Sequence, residues 1–217
     1  MEKLFSQQKI DRLAELELAD SIERAKKINF DIYNDAQMQS QESEIIKKII
    51  ETLQHKDRAV EIGSGAMRGV KQLADAGFKE IIAIDYNKPK ENWMRDIDKK
   101  VVKFIQIPIE NYDFGIDRNN LVVAMNVLPF VHKNFLPEVI KNIQTSLKNE
   151  GVFVGSFFGP RDIKVRTGSA NGYCEKEIID MLEGMEFVEK IRKFEDVIRK
   201  NGKEIVEQSF LITAKKV

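Results

Sequence analysis

The sequence predicts an α/β domain with a doubly wound, mostly parallel sheet, preceded by helices and ending in an antiparallel hairpin. Two observations predict this class. From Arg58 onward, short apolar runs alternate with helix-like stretches, which is the pattern of a parallel sheet covered on both faces. Two longer strand-like segments then end the chain, joined at Asn201-Gly202. An Asn-Gly pair between strand patterns is a strong hairpin signal.

The individual elements follow from hydrophobic periodicity. Apolar residues at helical spacing predict a helix over residues 1 to about 35, and an isoleucine stripe at Ile45–Ile50 predicts a second, capped by Ser40 or Ser43. Five parallel strands are predicted at 59–62, 81–84, 101–105, 121–124 and 152–157. Further helices are predicted at 68–76, 91–99, 135–148 and 175–183. Two last strands, which bring the sheet to seven, are predicted near 186–198 and 204–214.

Length and composition indicate one globular domain. The 217 residues suffice for one α/β domain, and 42% hydrophobic with 32% charged residues is an ordinary globular composition. We expect an N-terminal helical cap, lid or dimer element at 1–39 and the α/β domain at 40–217. The sequence has neither the apolar core of a signal peptide nor a run of about 20 apolar residues that would span a bilayer. A cytoplasmic monomer or homodimer is therefore expected.

Charge and cysteine content narrow the partners. Lys plus Arg and Asp plus Glu are 35 each, whereas nucleic-acid binding usually needs a basic excess. The basic residues around 190–203 alternate with acidic ones, which favours a solvated hairpin over an RNA site. Cys174 is the single cysteine, so an intrachain disulfide is excluded, and no spaced His/Cys/Asp cluster predicts a metal site.

The most informative segment runs from residue 59 to residue 87. A buried strand ends in Glu61–Gly65, the chain turns into a helix, and a second strand ends at Asp85, 20 residues beyond Gly65. Glycine in such a turn allows a ligand to approach the backbone, and the helix that follows presents free N–H groups. A carboxylate at the end of the second strand can accept hydrogen bonds from both hydroxyls of a ribose. The segment therefore predicts a cradle for an adenosine ribose.

The details of the loop distinguish between two cofactors. Dinucleotide-binding loops run G-x-G-x-x-G, but here the next glycine after Gly65 is Gly69, one place late. Glu61 lies two residues before the first glycine, where its charge would face a pyrophosphate unfavourably. It suits a ligand with a cationic amino group and a sulfonium. The loop therefore favours such a cationic ligand over a dinucleotide, with a nicotinamide-dependent oxidoreductase as the alternative.

The acidic-x-Gly-x-Gly pattern at Glu61–Gly65 resembles the first motif of class I S-adenosylmethionine-dependent methyltransferases. LVVAMNVLPF at 121–130 resembles the family's fourth strand and its exit, and LKNEGVFVGSFFG at 147–159 its fifth strand with the preceding turn. The terminal hairpin is similar to its sixth and reversed seventh strands. SFFGPRD at 156–162 resembles small bacterial members of the tellurite-resistance type. Residues 66–68 depart from the family, which more often has small residues there.

The resemblance implies a Rossmann-like sheet and a set of cofactor-binding residues, with the adenine near the ends of strands three and four. The residues expected to bind the cofactor are Glu61, Gly63, Ser64, Gly65, Asp85, Tyr86, Asn87, Ile107, Pro108, Ile109, Asn126 and Val127. Phe157, Phe158 and Arg161 lie beyond strand five and are candidates for the acceptor pocket, the alternative being core packing and a solvated loop. His132 is the candidate catalytic base, the alternative being a structural role.

The expected reaction is transfer of a methyl group by in-line displacement. Such a reaction mainly requires positioning and desolvation, which accounts for the lack of an obvious catalytic constellation. The exit of strand four lacks the Asn/Asp-Pro-Pro-aromatic motif that resembles amino-group methylators of adenine or glutamine. A small-molecule acceptor is favoured, and a protein acceptor comes next. A catalytically silent cofactor-binding or scaffold protein is the alternative function.

Overall fold

The structure, a computed structural model, describes residues 41–200 and 203–217. The predicted first helix, the segment 1–39, Ser40 and the Asn201-Gly202 turn lie outside the described residues. The strands are β1 (Arg58–Ile62), β2 (Glu80–Asp85), β3 (Val102–Gln106), β4 (Asn119–Ala124), β5 (Leu147–Phe158), β6 (Met185–Phe187), β7 (Arg192–Lys200) and β8 (Lys203–Lys216). The helices are α1 (Gln41–Thr52), α2 (Arg68–Asp75), α3 (Leu136–Ser146), α4 (Ile163–Arg166) and α5 (Glu175–Met181).

The strands form one mixed sheet in the order β3-β2-β1-β4-β5-β8-β6, with β7 also paired to β8. The first five are parallel, and β8 runs antiparallel to β5. β6 pairs with the last residues of β8, and β7 pairs with its first nine along the same edge. The eight strands therefore occupy seven positions, which confirms the predicted doubly wound sheet with its C-terminal hairpin.

Most element ends shift by one or two residues, and three larger differences from the prediction stand out. The strand expected at 186–198 is interrupted at 188–191, which splits it into β6 and β7. β5 begins at Leu147 rather than 152, and the pairing of β4 with β5 shifts register between Asn119 and Leu121. α1 includes Ser43, so this residue lies inside the helix and is not its cap.

The helix predicted at 91–99 is wrong. Only Glu91–Met94 are helical, and they form a 3₁₀ turn. Beyond it, Asp98 accepts a hydrogen bond of 2.9 Å from the backbone N–H of Lys100. An aspartate that bonds to the backbone two residues ahead stabilises a turn instead of a helix.

Two hydrophobic layers cover the two faces of the sheet. One contains α1 and α2, with Ile45, Val70 and Leu73 in one hydrophobic cluster with Ala59 of β1. The other contains α3 and α5, packed on the residues that alternate with these in the strands. Glu61 is two residues from Ala59 and points to the same face as it, beneath α2. Within the ranges that the structure describes, no helix is both long and apolar enough to cross a membrane.

Candidate active site

The loop between β1 and α2 has three residues with positive φ angles and is anchored to β2. Gly63, Gly65 and Met67 have positive φ angles of 71°, 43° and 63°. The backbone N–H groups of Gly63 and Ser64 both donate to the carbonyl oxygen of Ile84, at 2.8 and 3.1 Å. Because this carbonyl lies near the end of β2, the loop is held above the carboxyl ends of the parallel strands, the ligand side of such sheets.

Gly63 also permits a close approach between two loops. A Cβ at this position would lie 2.9 Å from the Cβ of Val127, which follows β4. This distance is too short for two side chains to coexist without movement. The glycine therefore allows the loop after β4 to contact the loop after β1, and it brings Val127 into the predicted site.

Asp85 links the glycine loop to the loop after β2. Its Oδ2 accepts a hydrogen bond of 2.8 Å from the N–H of Gly65, and its Oδ1 accepts one of 2.7 Å from the N–H of Asn87. Burial raises the pKa of Asp85, while the backbone hydrogen bonds oppose that shift. A carboxylate oxygen has two lone pairs, so each oxygen can accept a further hydrogen bond from a ligand hydroxyl.

Glu61 places a carboxylate beneath the first turn of α2. A Cβ on Gly69 would lie 2.1 Å from its Oε1. Its Oε2 is buried and has no hydrogen-bond partner among the described residues. Burial raises the pKa of Glu61 from 4.5 to about 8. A positively charged ligand group would both satisfy this oxygen and favour its ionised form.

Asn126, after β4, adopts a backbone conformation that non-glycine residues rarely take, with φ 54°. Its N–H donates to the hydroxyl oxygen of Ser156 at 2.7 Å, and this hydroxyl donates to Asn126 Oδ1 at 3.3 Å. Ser156 was not among the predicted site residues, although it is the one polar residue in the apolar run at 152–158. That interruption is the signal which sequence reasoning missed.

The loops after β2 and β3 lie side by side. Tyr86 is partly exposed, and residues 107–109 follow the neighbouring strand. The N–H of Ile107 donates to the carbonyl oxygen of Asp85 at 3.1 Å. Ile109 is buried in the core. The structure therefore brings the predicted adenosine-binding residues to one edge of the sheet, with the side chain of Ile109 directed into the core.

The two phenylalanines predicted for the acceptor pocket are buried. Phe157 is 0% exposed and its ring centroid lies 5.6 Å from that of Tyr173. Phe158 lies 5.6 Å from Phe130, and the Lys164 ammonium lies 4.9 Å from the Phe158 ring centroid. These contacts favour the core-packing alternative for Phe157.

Arg161 is exposed and attached to the hairpin of β7 and β8. Its guanidinium forms an ion pair of 2.6 Å with Glu195, and its backbone N–H donates to Oε1 of Gln208 at 3.1 Å. Gln208 Nε2 in turn donates to Glu195 at 2.6 Å. The contacts of Arg161 are therefore those of a residue that fixes the loop after β5.

His132 follows the 3₁₀ turn Leu128–Phe130. Its Nδ1 accepts a hydrogen bond of 3.3 Å from the N–H of Asn134. A neutral imidazole that accepts at Nδ1 carries its proton on Nε2. The basic nitrogen of His132 is thus already engaged with the backbone, which favours the structural role.

Comparison with known families finds one similar domain. Residues 60–155 match the family model described as a methyltransferase domain. This stretch begins next to Glu61 and includes both carboxylates, the glycine loop and the loop after β4. Residues 60–155 of this chain are therefore similar to a methyltransferase domain. Within the described residues, no three His, Cys, Asp or Glu side chains group closely enough to hold a metal ion.

Solved structures of similar fold include several methyltransferases. The N-methyltransferase NodS from Bradyrhizobium japonicum, in complex with S-adenosyl-L-homocysteine, is 16% identical with a TM-score of 0.61, over 83% of this chain and 90% of NodS. The 1,6-didemethyltoxoflavin-N1-methyltransferase of Burkholderia thailandensis is 15% identical with a TM-score of 0.63, over 100% and 93% of the chains. TehB from Haemophilus influenzae is 16% identical with a TM-score of 0.61, over 80% and 62%. At such identities the likeness concerns the fold. A comparison with curated protein sequences yields no significant match.

Proposed function

We propose that this methyltransferase domain methylates a nitrogen or sulfur nucleophile of a small molecule, with S-adenosylmethionine held across the carboxyl ends of β1, β2 and β4. One observation carries the proposal: the buried Glu61 Oε2, without a partner among the described residues, lies at the base of a glycine loop anchored to Asp85. An uncompensated buried carboxylate is costly. A cationic ligand offsets that cost, and a pyrophosphate would increase it.

The residues present fit this cofactor. Glu61 suits the cationic methionine end, and Asp85 suits the ribose hydroxyls. Gly65 donates its N–H to Asp85, and Asn126 belongs to the loop that contacts Gly63 through Val127. When bound, S-adenosylmethionine supplies a methyl group already activated by the sulfonium.

The remaining task of the protein is to position and desolvate the reactants. Alignment of this kind contributes about 7–11 kcal/mol to lowering a barrier. Because His132 uses Nδ1 for a backbone hydrogen bond, we do not assign a protein base. An acceptor that reacts without one, such as an amine or a thiolate, fits best. Two neighbours are named as N-methyltransferases, which supports a small nitrogen nucleophile as the first class to examine.

Calorimetric titration tests the cofactor. We expect S-adenosylmethionine and S-adenosylhomocysteine to bind the purified chain and NAD not to bind. Gly65→Val should abolish both interactions, because a β-branched residue is strained at φ 43°. Gly77→Val is the matched control: Gly77 also has a positive φ, with open space around it and at the far end of α2. Binding of NAD alone would contradict the assignment.

A transfer assay tests the reaction itself. The chain is incubated with S-adenosylmethionine and panels of small amines and thiols, and formation of S-adenosylhomocysteine is measured. We expect at least one class to be methylated at a rate that Gly65→Val abolishes. Tight cofactor binding without turnover on any small molecule would instead support a silent cofactor-binding protein.

A further inference from the structure

Gly69 occupies a position in α2 where glycine has no backbone reason to be. Its φ is not in the positive range, and glycine inside a helix costs about 0.5–1 kcal/mol relative to alanine. A Cβ here would lie 2.1 Å from Oε1, 2.3 Å from Oε2 and 2.5 Å from Cδ of Glu61. The carboxylate of Glu61 therefore occupies the space that a side chain at residue 69 would need.

The backbones on both sides of this contact are fixed. Glu61 pairs with Ala83 on β2 and with Val123 on β4 in the middle of the sheet. The start of α2 is held by a hydrogen bond of 2.7 Å from Met67 N to Ser64 O. A methyl group at residue 69 would therefore be accommodated by rotation of the Glu61 side chain, whose far end is what it meets.

We propose that Gly69 is a positioning residue: by carrying no side chain, it lets the Glu61 carboxylate lie beneath the first turn of α2, where it receives the cationic end of the cofactor. This inference rests on the proposed function, since it assigns to Glu61 the cofactor's positive charge. The absence of a side chain at Gly69 should therefore affect the affinity for the cationic methionine end of the cofactor. It should not affect the affinity for the adenosine part.

Two ligands separate these parts. S-adenosylmethionine carries the amino group and the sulfonium, whereas 5′-methylthioadenosine has the same adenosine with neither charge. We expect Gly69→Ala to weaken the binding of S-adenosylmethionine by about 10- to 100-fold, which corresponds to the loss of one charge-assisted hydrogen bond. Affinity for 5′-methylthioadenosine should stay within about twofold of the unmodified chain. Lys71→Ala, an exposed site on the same helix, should change neither.

A second substitution tests whether the effect passes through Glu61. Aspartate is one methylene shorter, so Glu61→Asp makes room for the methyl group in Gly69→Ala. We expect the double variant to bind S-adenosylmethionine more tightly than Gly69→Ala alone, a non-additive result that reports direct coupling between the two positions. Additive losses would place the effect of Gly69→Ala elsewhere.

A readout without ligand keeps this inference separate from the proposed function. Released toward solvent, the Glu61 carboxyl would titrate near its ordinary pKa, so the melting temperature of Gly69→Ala should depend less on pH between 4.5 and 8 than that of the unmodified chain. Unchanged pH dependence, together with equal losses for both ligands, would overturn the role of Gly69. Failure of the unmodified chain to bind S-adenosylmethionine would instead overturn the proposed function, and the cofactor role of Gly69 with it.

Discussion

The backbone N–H of Gly65 donates a hydrogen bond of 2.8 Å to Oδ2 of Asp85. The carboxylate that we assign to the ribose therefore also holds the glycine loop in place. Its other oxygen orders the loop after β2 through Asn87 N. Folding thus arranges the binding loops around Asp85, and a ligand hydroxyl has only to add to an existing set of hydrogen bonds.

Replacing Asp85 by alanine should affect both stability and binding. Two backbone N–H groups lose their acceptor, so we expect the free energy of unfolding to fall by about 1–3 kcal/mol. Loss of the ribose hydrogen bonds should weaken the binding of S-adenosylmethionine by about 10- to 100-fold. Denaturant titration and calorimetry measure the two effects. Asp85→Asn is the control. It keeps one acceptor oxygen, but its amide NH₂ group faces one of the two backbone N–H groups that Asp85 binds. Unchanged cofactor affinity in both variants would remove Asp85 from the site.

The raised pKa of Glu61 predicts the pH dependence of stability. Burial raises that pKa from 4.5 to about 8, so the folded protein binds this proton more tightly than the unfolded chain. The stabilisation is complete below pH 4.5 and is lost as the pH rises to about 8. We expect Glu61→Gln, which keeps the size and removes the charge, to flatten this decline. Chemical denaturation at a series of pH values measures it, and parallel profiles would contradict the prediction.

The same group links cofactor binding to protons. A bound cation lowers the pKa of a neighbouring carboxyl, so S-adenosylmethionine should release a proton from Glu61 when it binds below pH 8. Its affinity should therefore rise with pH up to that value. Glu61→Gln is the reference, because any protons that it releases on binding come from groups other than Glu61, including the ligand itself. Calorimetry in buffers of different ionisation enthalpy counts the protons, and equal counts for the two proteins would exclude this linkage.

The order of the elements and the centre of the site could be predicted because they depend on local pattern. The glycine loop and Asp85 each end a buried apolar run, and parallel strands bring such ends together. The contact of Ser156 with Asn126 could not be predicted, because it depends on the register that pairs Ala124 with Gly155. The fit of Gly69 against Glu61 depends likewise on how a helix lies over a strand, which periodicity does not specify.

Ser156→Ala should disturb the loop after β4. It removes the acceptor of Asn126 N, a partly buried group on a residue that itself has a positive φ. We expect unfolding to become about 1–3 kcal/mol easier, with a higher KM for S-adenosylmethionine. Ser146→Ala is the matched control, because Ser146 is also buried and its hydroxyl bonds Ile143 O at the end of α3, away from the site. Loss of the Ser146 hydroxyl should change the free energy of unfolding without changing the KM for S-adenosylmethionine. A Ser156 variant that behaves in the same way would make Ser156 purely structural.

Met67 combines two properties that oppose each other. Its side chain is 0% exposed, while its backbone is left-handed, with φ 63° and ψ 18°, immediately before α2. Truncating a buried methionine costs about 2–5 kcal/mol, and the left-handed conformation costs about 1–2 kcal/mol for a residue with a Cβ. Both Met67→Ala and Met67→Gly should therefore destabilise the protein, but glycine should regain the backbone part.

The expected order is consequently the reverse of helix propensity. The free energy of unfolding should be about 1 kcal/mol higher for Met67→Gly than for Met67→Ala. Leu73 supplies the control, since it is equally buried and lies within α2, with no left-handed backbone. At residue 73 the alanine variant should be more stable than the glycine variant by a similar free energy of unfolding, because glycine is unfavourable inside a helix. If alanine is also the more stable substitution at residue 67, the backbone there is not left-handed in solution, and the loop geometry that places Gly65 against Asp85 would have to be revised.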